Sequence, residues 1–317
     1  MHLISCRRTL QHLPLTFLLI SVVLSLASGC TSAPTPIPPT ATPASTLTVG
    51  MSLSNLANPF FASMRDGANE AATRLNVTLV VEDAADNADT QAQQIEDLID
   101  QGVGVLLINP VDSDAIVASV EAANAANIPV ITIDRSANGG TVLAHIASDN
   151  VAGGRMAGNY LAETLGNTGH IVELTGIEGT SAARDRGAGF NEAIAAFPEM
   201  QVIVRETANF SREEGQTVFA SILEANPNID AVFAHNDEMI LGAIEAARAA
   251  GRLSEIKFVG FDAVDDALTA LESGELLATI AQQPAEMGRL GVENAVRALN
   301  GESVEASIPV DLALITR

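Results

Sequence analysis

From Leu47 onward the chain alternates short runs of apolar, often β-branched residues with longer, alanine-rich amphipathic stretches. This alternation is typical of βαβ units, in which helices join neighbouring parallel strands. About ten runs predict strands, at 47–53, 77–82, 103–108, 129–134, 143–148, 170–174, 201–206, 231–235, 257–261 and 277–281. Because one sheet in a chain of this length seldom holds so many strands, we predict two sheets of five or six strands, and hence two α/β domains.

Helices are predicted between the strands, for example at Asp112–Ala126 and Glu286–Leu299. Asn58 before Pro59 indicates a capped helix start, because Pro favours the first helical position. Thr180 or Ser181 is a second candidate cap, and the acidic pair at 265–266 suits the positive end of a third helix.

The N-terminus has the pattern of an export signal. Arg7 and Arg8 precede an apolar run at 13–27, followed by small residues. The run is shorter than the ~20 residues that span a bilayer comfortably, although an uncleaved N-terminal anchor is the alternative.

The end of this run also resembles a bacterial lipobox, in the sequence Leu26-Ala27-Ser28-Gly29-Cys30. That resemblance implies a lipidated Cys30, with Ala27 standing where a larger aliphatic residue is usual. Cleavage there would remove Cys6, the only other cysteine, and leave no disulfide. Residues 31–46 are Thr, Ser, Ala and Pro, a composition that favours extended chain. We interpret them as a tether, the alternative being a spacer with no mechanical role.

Charge and lysine content exclude several classes of protein. The net charge of −23 argues against a nucleic-acid partner. The single lysine, Lys257, is preceded by Ile256 rather than Gly, so it cannot belong to a Walker A loop. A Schiff-base lysine would have to be this residue, at the start of a predicted strand. The segment 50–55 after the first strand lacks the glycine pattern of dinucleotide-binding proteins, and we expect no cofactor.

Catalytic and metal-binding patterns are also missing from the sequence. His145, His170 and His235 are far apart and lie in or beside predicted strands, which indicates structural roles. We therefore predict no metal site and no catalytic residue. A glycoside hydrolase stays an alternative, because 39 acidic residues are available.

Polar and aromatic residues follow the predicted strands. In parallel sheets, ligands bind beyond the carboxyl ends of the strands. A sugar needs acidic and amide acceptors, cationic donors and aromatic planes against its C–H faces. The segments at these ends supply all three, and they are Asn58-Pro59-Phe60-Phe61, Asn109-Pro110, Asp134-Arg135, Asp149-Asn150, Asn236-Asp237, Asp262 and Gln282.

Simpler interpretations exist for each of these segments. Phe60 and Phe61 could be core residues, although adjacent helical positions diverge by roughly 100° and cannot face one core equally. Asp134-Arg135 could be a solvated turn at a strand end. Arg184 and Arg186 could form surface salt bridges, which contribute ~0–1 kcal/mol.

Taken in order, the segments resemble the ribose-type periplasmic sugar-binding proteins of bacterial ABC importers, from Leu47 to the C-terminus. The motifs that carry the resemblance are Asn58-Pro59-Phe60-Phe61, Leu107-Ile108-Asn109-Pro110-Val111-Asp112-Ser113-Asp114-Ala115, His145-Ile146-Ala147-Ser148-Asp149-Asn150, Gly179-Thr180-Ser181-Ala182-Ala183-Arg184-Asp185-Arg186-Gly187, Asn236-Asp237-Glu238-Met239 and Ala278-Thr279-Ile280-Ala281-Gln282.

The resemblance implies that Phe60, Phe61 and Phe210 sandwich a sugar, with Phe261 nearby. It implies hydrogen bonds to the sugar from Asn58, Asp134, Arg135, Arg186, Asn236, Asp262 and Gln282. Asn109 and Asn150 are expected to line the cleft or its hinge side. None of these positions departs from the ribose-binding pattern, whereas His235 stands where a Gln is common.

The family fold implies two similar doubly wound parallel-sheet domains, joined by three hinge crossings, with the ligand cleft between them. We predict a signal peptide at 1–29 and a tether at 30–46. The N-terminal domain is predicted at 47–148 plus 283–311, and the C-terminal domain at 149–282 plus 312–317.

The implied function is capture of D-ribose by a lipid-anchored protein on the outer face of the cytoplasmic membrane, without catalysis. The implied partner is an ABC permease, with a chemotaxis receptor as a further candidate. Alternatives are a receptor for another small sugar such as allose, or for a furanose-like signal. A sugar-responsive regulator core fits less well, because this chain carries an export signal. A secreted enzyme on the same scaffold is the remaining class.

Overall fold

The computed structural model describes residues 47–317. The predicted signal peptide, the lipidation site at Cys30 and the tether lie outside these residues. In the part of the chain that is described, no helix is both long and apolar enough to cross a membrane.

Residues 47–317 form twelve strands. In chain order they are β1 (Thr48–Leu53), β2 (Thr78–Asp83), β3 (Val105–Ile108), β4 (Val130–Ile133), β5 (Ala144–Ser148), β6 (Thr168–Thr175), β7 (Glu199–Thr207), β8 (Ala231–Ala234), β9 (Lys257–Asp262), β10 (Ala278–Ala281), β11 (Ser307–Val310) and β12 (Ala313–Thr316).

The same residues form nine α-helices and a short 3₁₀ turn at Leu253–Glu255. The helices are α1 (Pro59–Leu75), α2 (Ala88–Asp100), α3 (Val117–Ala125), α4 (Asn150–Leu165), α5 (Ser181–Ile194), α6 (Arg212–Ala225), α7 (Asp237–Ala249), α8 (Asp265–Ser273) and α9 (Pro284–Leu299).

The strands form two six-stranded sheets with matching order. The first is β11-β5-β4-β3-β1-β2, and the second is β12-β10-β9-β8-β6-β7. All pairs are parallel except β12, which runs antiparallel to β10. We call the first sheet with α1, α2, α3 and α9 the first lobe, and the second sheet with α4 to α8 the second lobe.

The chain passes between the lobes three times: between β5 and α4, between β10 and α9, and between β11 and β12. The predicted fold class, two doubly wound α/β domains with three crossings, is confirmed. The individual domain boundaries stay a prediction.

Three details differ from the sequence prediction. The edge strands β11 and β12 were not predicted, because Pro309 interrupts β11 and only two residues separate it from β12. Helix α3 begins at Val117 rather than at Asp112. The Asp112 carboxylate instead accepts hydrogen bonds from the backbone N–H groups of Asp114 (2.8 Å) and Ala115 (2.7 Å), forming a turn. Helix α9 begins two residues earlier than predicted.

Side-chain caps start several helices where the preceding strands end. Asn58 caps α1 and accepts from Phe60 N at 2.9 Å, as predicted. Thr180 caps α5, and Asn236 caps α7. Each cap satisfies a backbone donor that the first helical turn leaves unpaired. Because the strands of each sheet are parallel, these caps gather at the carboxyl edges of the sheets.

The central strands are buried on both faces, as expected for parallel sheets covered by helices. Their cores consist mostly of Val, Ile, Leu and Ala. This leaves polar side chains at the strand ends, where the two lobes meet.

Candidate functional site

The carboxyl edges of the two sheets face each other across a cleft, and the lobes touch directly at one side of it. The backbone N–H of Ser113 donates to the Gly179 carbonyl at 3.1 Å. Ser181 N donates to the Ser113 hydroxyl at 3.2 Å, and Ser136 N donates to the Ser181 hydroxyl at 2.9 Å. The lobes are therefore in contact, and side chains from both enclose the cleft.

In the first lobe, Asp134 and Arg135 follow β4 and are each only 3% exposed. The alternative that they form a solvated turn is wrong. The amide of Asn109 donates to Asp134 Oδ2 and to the Ile133 carbonyl, both at 3.1 Å. Asn109 thus fixes the orientation of the carboxylate rather than pointing freely into the cleft.

The Arg135 guanidinium lies between two aromatic rings. Its carbon is 5.2 Å from the ring centroid of Phe61 in the first lobe and 5.1 Å from that of Phe210 in the second. Arg135 Nη1 donates to the Pro110 carbonyl at 3.1 Å. This buried cation is therefore held by first-lobe groups and covered by a second-lobe ring.

In the second lobe, Arg186 is held on four sides. Its Nε donates to Asn150 Oδ1 at 2.7 Å, and Nη1 donates to the His235 carbonyl at 2.6 Å. Nη1 also lies 3.5 Å from Asp262 Oδ1. The guanidinium carbon sits 3.9 Å from the ring centroid of Phe261. All four contacts lie within the second lobe, so this cation is positioned independently of the first.

Asp262 ends β9 and faces Arg186. The amide of Gln282, just after β10, donates to Asp262 Oδ1 at 2.8 Å. Burial raises the pKa of the Asp262 carboxyl to about 7, against the opposing positive charge of Arg186. The Asp262 carboxyl thus titrates near neutral pH.

The aromatic residues have mixed environments. Phe60 and Phe61 pack edge to face, with centroids 5.2 Å apart, and both belong to the apolar core of the first lobe. Phe60 nevertheless lines one cleft cavity and Phe61 lines another. The two rings therefore serve the core and the cleft together. Phe261 is fully buried beneath Arg186 and supports that guanidinium.

Two asparagines at the cleft are already engaged. Asn150 accepts from Arg186, and Asn236 donates to the Phe210 carbonyl at 3.2 Å while capping α7. Asn58 caps α1 with its oxygen and lines the cavity beside Phe61.

Three buried polar atoms at the cleft have no hydrogen-bond partner among residues 47–317. They are Asp134 Oδ1, Arg135 Nε and Gln282 Oε1. Buried polar atoms are normally paired, so such atoms need an explanation. Two acceptors and one donor, contributed by both lobes, match a ligand whose hydroxyls can each donate and accept.

Two cavities at the cleft are each lined by residues of both lobes. One of about 470 Å³ is lined by Pro59 and Phe60 of the first lobe and by Asp262 and Gln282 of the second. A smaller one of about 180 Å³ is lined by residues that include Arg135 of the first lobe and Phe210 of the second.

Site residues also occupy unusual backbone conformations, which the sequence did not indicate. Asp134, Phe210 and Asp262 have φ of 63°, 59° and 119°. Positive φ is uncommon for non-glycine residues and concentrates at functional sites, where surrounding contacts maintain it.

Asp86 was also missed by the sequence analysis. It lines the smaller cavity, and its carboxylate accepts from the Asn55 amide at 2.6 Å. Burial raises the pKa of Asp86 above its ordinary value. Its run of Ala and Asp neighbours resembles an ordinary polar loop, so no sequence signal marked it.

His145, His170 and His235 have structural partners. His235 Nε2 lies 3.0 Å from Glu173 Oε1, His145 contacts the Thr132 hydroxyl, and His170 lies near Asp230. Within residues 47–317, no group of three or more His, Cys, Asp or Glu is arranged to hold a metal ion.

Comparisons with known proteins show which family the chain belongs to. A family model described as a periplasmic binding protein domain matches residues 49–303. The ribose import binding protein of Escherichia coli (strain K12) is 48% identical over 270 residues, covering 85% of this chain and 90% of that protein. Its counterpart in Bacillus subtilis (strain 168) is 43% identical over 307 residues, covering 94% and 98%.

Among solved structures, an ABC transporter solute-binding protein from Bacillus halodurans C-125 with bound myo-inositol superimposes with a TM-score of 0.82. It is 33% identical and covers 87% of this chain and 96% of that chain. The fold and cleft define a two-lobed receptor for a small polar ligand. The chain belongs to the periplasmic binding protein family, and the resemblance identified from its motifs is confirmed.

Proposed function

We propose that this protein captures D-ribose in the cleft between its lobes, outside the cytoplasm, and delivers it to an ABC permease. The observation that carries the proposal is that each lobe contributes one buried cation–carboxylate pair to the cleft. These pairs are Asp134 with Arg135 in the first lobe and Asp262 with Arg186 in the second. The relatives named for ribose import, at 43–48% identity, support ribose as the sugar.

The proposed sugar contacts come from both lobes. Hydrogen bonds are assigned to Asn58, Asp134, Arg135, Arg186, Asn236, Asp262 and Gln282. Phe60, Phe61 and Phe210 cover the sugar faces, and Phe261, Asn109 and Asn150 hold the polar groups in place. The unpaired atoms of Asp134 and Gln282 support this assignment, because ribose hydroxyls would donate to them.

Binding by both lobes explains how ligand capture is coupled to closure. A sugar in an open cleft reaches only one lobe, whereas the closed cleft offers it both. Because the sugar has better contacts in the closed state, it shifts the population towards that state. The permease can then distinguish loaded from empty protein by shape.

We further propose that Cys30 carries a lipid anchor and that residues 31–46 tether the receptor to the membrane. The ribose is expected to leave chemically unchanged, since the relatives are named for import and solute binding. Membrane partition of the wild-type protein and of Cys30→Ser tests the anchor, because only the wild type should partition with lipid. Recovery of intact ribose after incubation tests the absence of turnover.

A second candidate ligand is another small sugar or cyclic polyol, such as allose or a furanose-like signal. The structural neighbour with bound myo-inositol favours keeping this candidate, because its fold superimposes closely.

Isothermal titration of the purified protein with ribose, allose, glucose, galactose and myo-inositol decides between them. We expect the tightest binding with ribose, at one site per chain. No heat with ribose, together with clear binding of another sugar, would replace ribose as the ligand.

A further inference from the structure

A further carboxylate, that of Asp237, lies behind the cleft and is not among the proposed sugar contacts. Asp237 is the first residue of α7, and it is fully buried. Its Oδ1 accepts from the Thr279 hydroxyl at 2.9 Å, and its Oδ2 accepts from Val264 N at 3.0 Å. Asp237 thus links α7 to strand β10 and to the turn that follows β9.

Thr279 completes the link. It is fully buried on β10, and its hydroxyl accepts from Ala263 N at 3.2 Å while donating to Asp237. A single hydroxyl therefore acts as donor to one partner and acceptor from another. Two consecutive N–H groups of the turn, at Ala263 and Val264, are bound by this Asp–Thr pair.

The turn held in this way is the one that directs Asp262 into the cleft. Asp262 and Ala263 have φ of 119° and 59°, values that residues other than glycine rarely adopt. Such conformations persist only where neighbouring contacts maintain them. The bonds to Asp237 and Thr279 lie immediately after Asp262, so their loss would free the turn and misplace its carboxylate.

The Asp237 carboxylate packs closely against strand β9. A Cβ atom at Gly260 of β9 would lie 2.1 Å from Asp237 Oδ1, so the carboxylate is seated directly against the strand backbone. Asp237 and Thr279 are both inaccessible to solvent. The contacts of the turn are therefore fixed by these two side chains.

We propose that Asp237 and Thr279 are positioning residues, which set the sugar affinity by holding the 262–264 turn while touching no sugar themselves. This proposal rests on the proposed function, because it assigns Asp262 to the sugar.

The test compares Thr279→Val with Thr279→Ser by ribose titration and thermal unfolding. Valine keeps the shape but lacks the hydroxyl, so Thr279→Val should weaken ribose binding at least tenfold while retaining cooperative unfolding. Serine keeps the hydroxyl, and Thr279→Ser should stay within about threefold of wild type. A lower melting temperature of Thr279→Val with unchanged affinity would overturn the proposal.

A rescue variant separates positioning from general damage. Glycine tolerates positive φ, so Ala263→Gly should reduce the strain that the Asp–Thr pair opposes. The double variant Thr279→Val/Ala263→Gly should recover at least threefold of the lost affinity, whereas damage to the core would not be reversed by a turn substitution. No recovery counts against the proposal.

Two further outcomes are decisive. If neither Thr279→Val nor Asp237→Asn folds, the pair is structural only and the proposal is wrong. If wild-type protein binds no ribose, the proposed function fails first. If the wild type binds ribose and Thr279→Val binds it with equal affinity, the positioning role is rejected and the proposed function stands.

Discussion

Each lobe presents one buried carboxylate with positive φ to the cleft, at the carboxyl end of the strand that is third from the β11 or β12 edge of its sheet. In the first lobe, Asp134 lies beside Arg135, its own neighbour in sequence, and is held by Asn109 from the adjacent strand end. In the second lobe, Asp262 is paired with Arg186 from a separate helix and held by Gln282. The two lobes thus build similar chemistry from different parts.

The lobes differ in whether the contacts of their buried cation are all present before the cleft closes. The four contacts of Arg186 all come from the second lobe. Arg135, in contrast, is covered on one side by Phe210 of the other lobe. We therefore expect the second lobe to be preorganised for sugar, whereas the first-lobe cation acquires its full environment only when the lobes meet.

The largest effect is expected at the preorganised cation. Arg186→Ala should weaken ribose binding at least about thirtyfold, because losing one partner of a buried charge pair costs roughly 2–5 kcal/mol. Titration calorimetry measures the change. Arg184→Ala is the matched control, since Arg184 lies on the same helix and pairs with Asp185 at the surface. Near-normal affinity in Arg186→Ala would remove this residue from the site.

The pH dependence of stability tests the second-lobe carboxylate, Asp262. In the folded protein the pKa of Asp262 is about 7, against an ordinary value of 3.8. The folded state therefore binds more protons than the unfolded chain between about pH 4 and 7. Stability from this group is present below about pH 4 and is lost as the pH rises through 7.

Urea unfolding of ligand-free wild type and Asp262→Asn from pH 4 to 8 measures this effect. Wild type should lose on the order of 4 kcal/mol relative to the variant across that range. Parallel pH curves for the two proteins would contradict the raised pKa of Asp262.

The closure-dependent environment of Arg135 predicts a moderate effect. Phe210→Leu should weaken ribose binding about five- to thirtyfold, since one ring face over a buried guanidinium is worth about 1–2 kcal/mol. Unchanged affinity would show that second-lobe cover does not matter to the first-lobe cation.

The smallest effects are expected at two helix caps, one in each lobe. Asn58→Ala and Thr180→Ala should each lower the free energy of unfolding by about 1 kcal/mol, because each removes one capping bond. Only Asn58→Ala should also weaken ribose binding, since Asn58 is assigned to the sugar. Equal losses of ribose affinity in both variants would show that the loss comes from helix destabilisation and not from a sugar contact of Asn58.

Much of this architecture could be predicted from the sequence. The strand–helix alternation predicted both sheets, and Asn58 with Pro59 predicted the start of α1. The edge strands β11 and β12 could not be predicted, since Pro309 interrupts β11 and only two residues separate it from β12.

The site was predictable as a set of strand-end residues, but its geometry was not. Asp134 and Asp262 adopt left-handed turns without the glycine that usually marks them. The burial of Arg135 depends on Phe210, which lies far away in sequence and approaches only through the tertiary fold. The role inferred for Thr279 depends on a hydrogen-bond chain that no spacing pattern shows.

A crystal structure of the protein with ribose tests the central claim, that one sugar is held by both lobes together. The predicted result is a single ribose whose hydroxyls lie within hydrogen-bond distance of Asp134 Oδ1 in the first lobe and of Arg186 or Asp262 in the second. A ribose that contacts one lobe alone, or that lies outside the cleft, would contradict it.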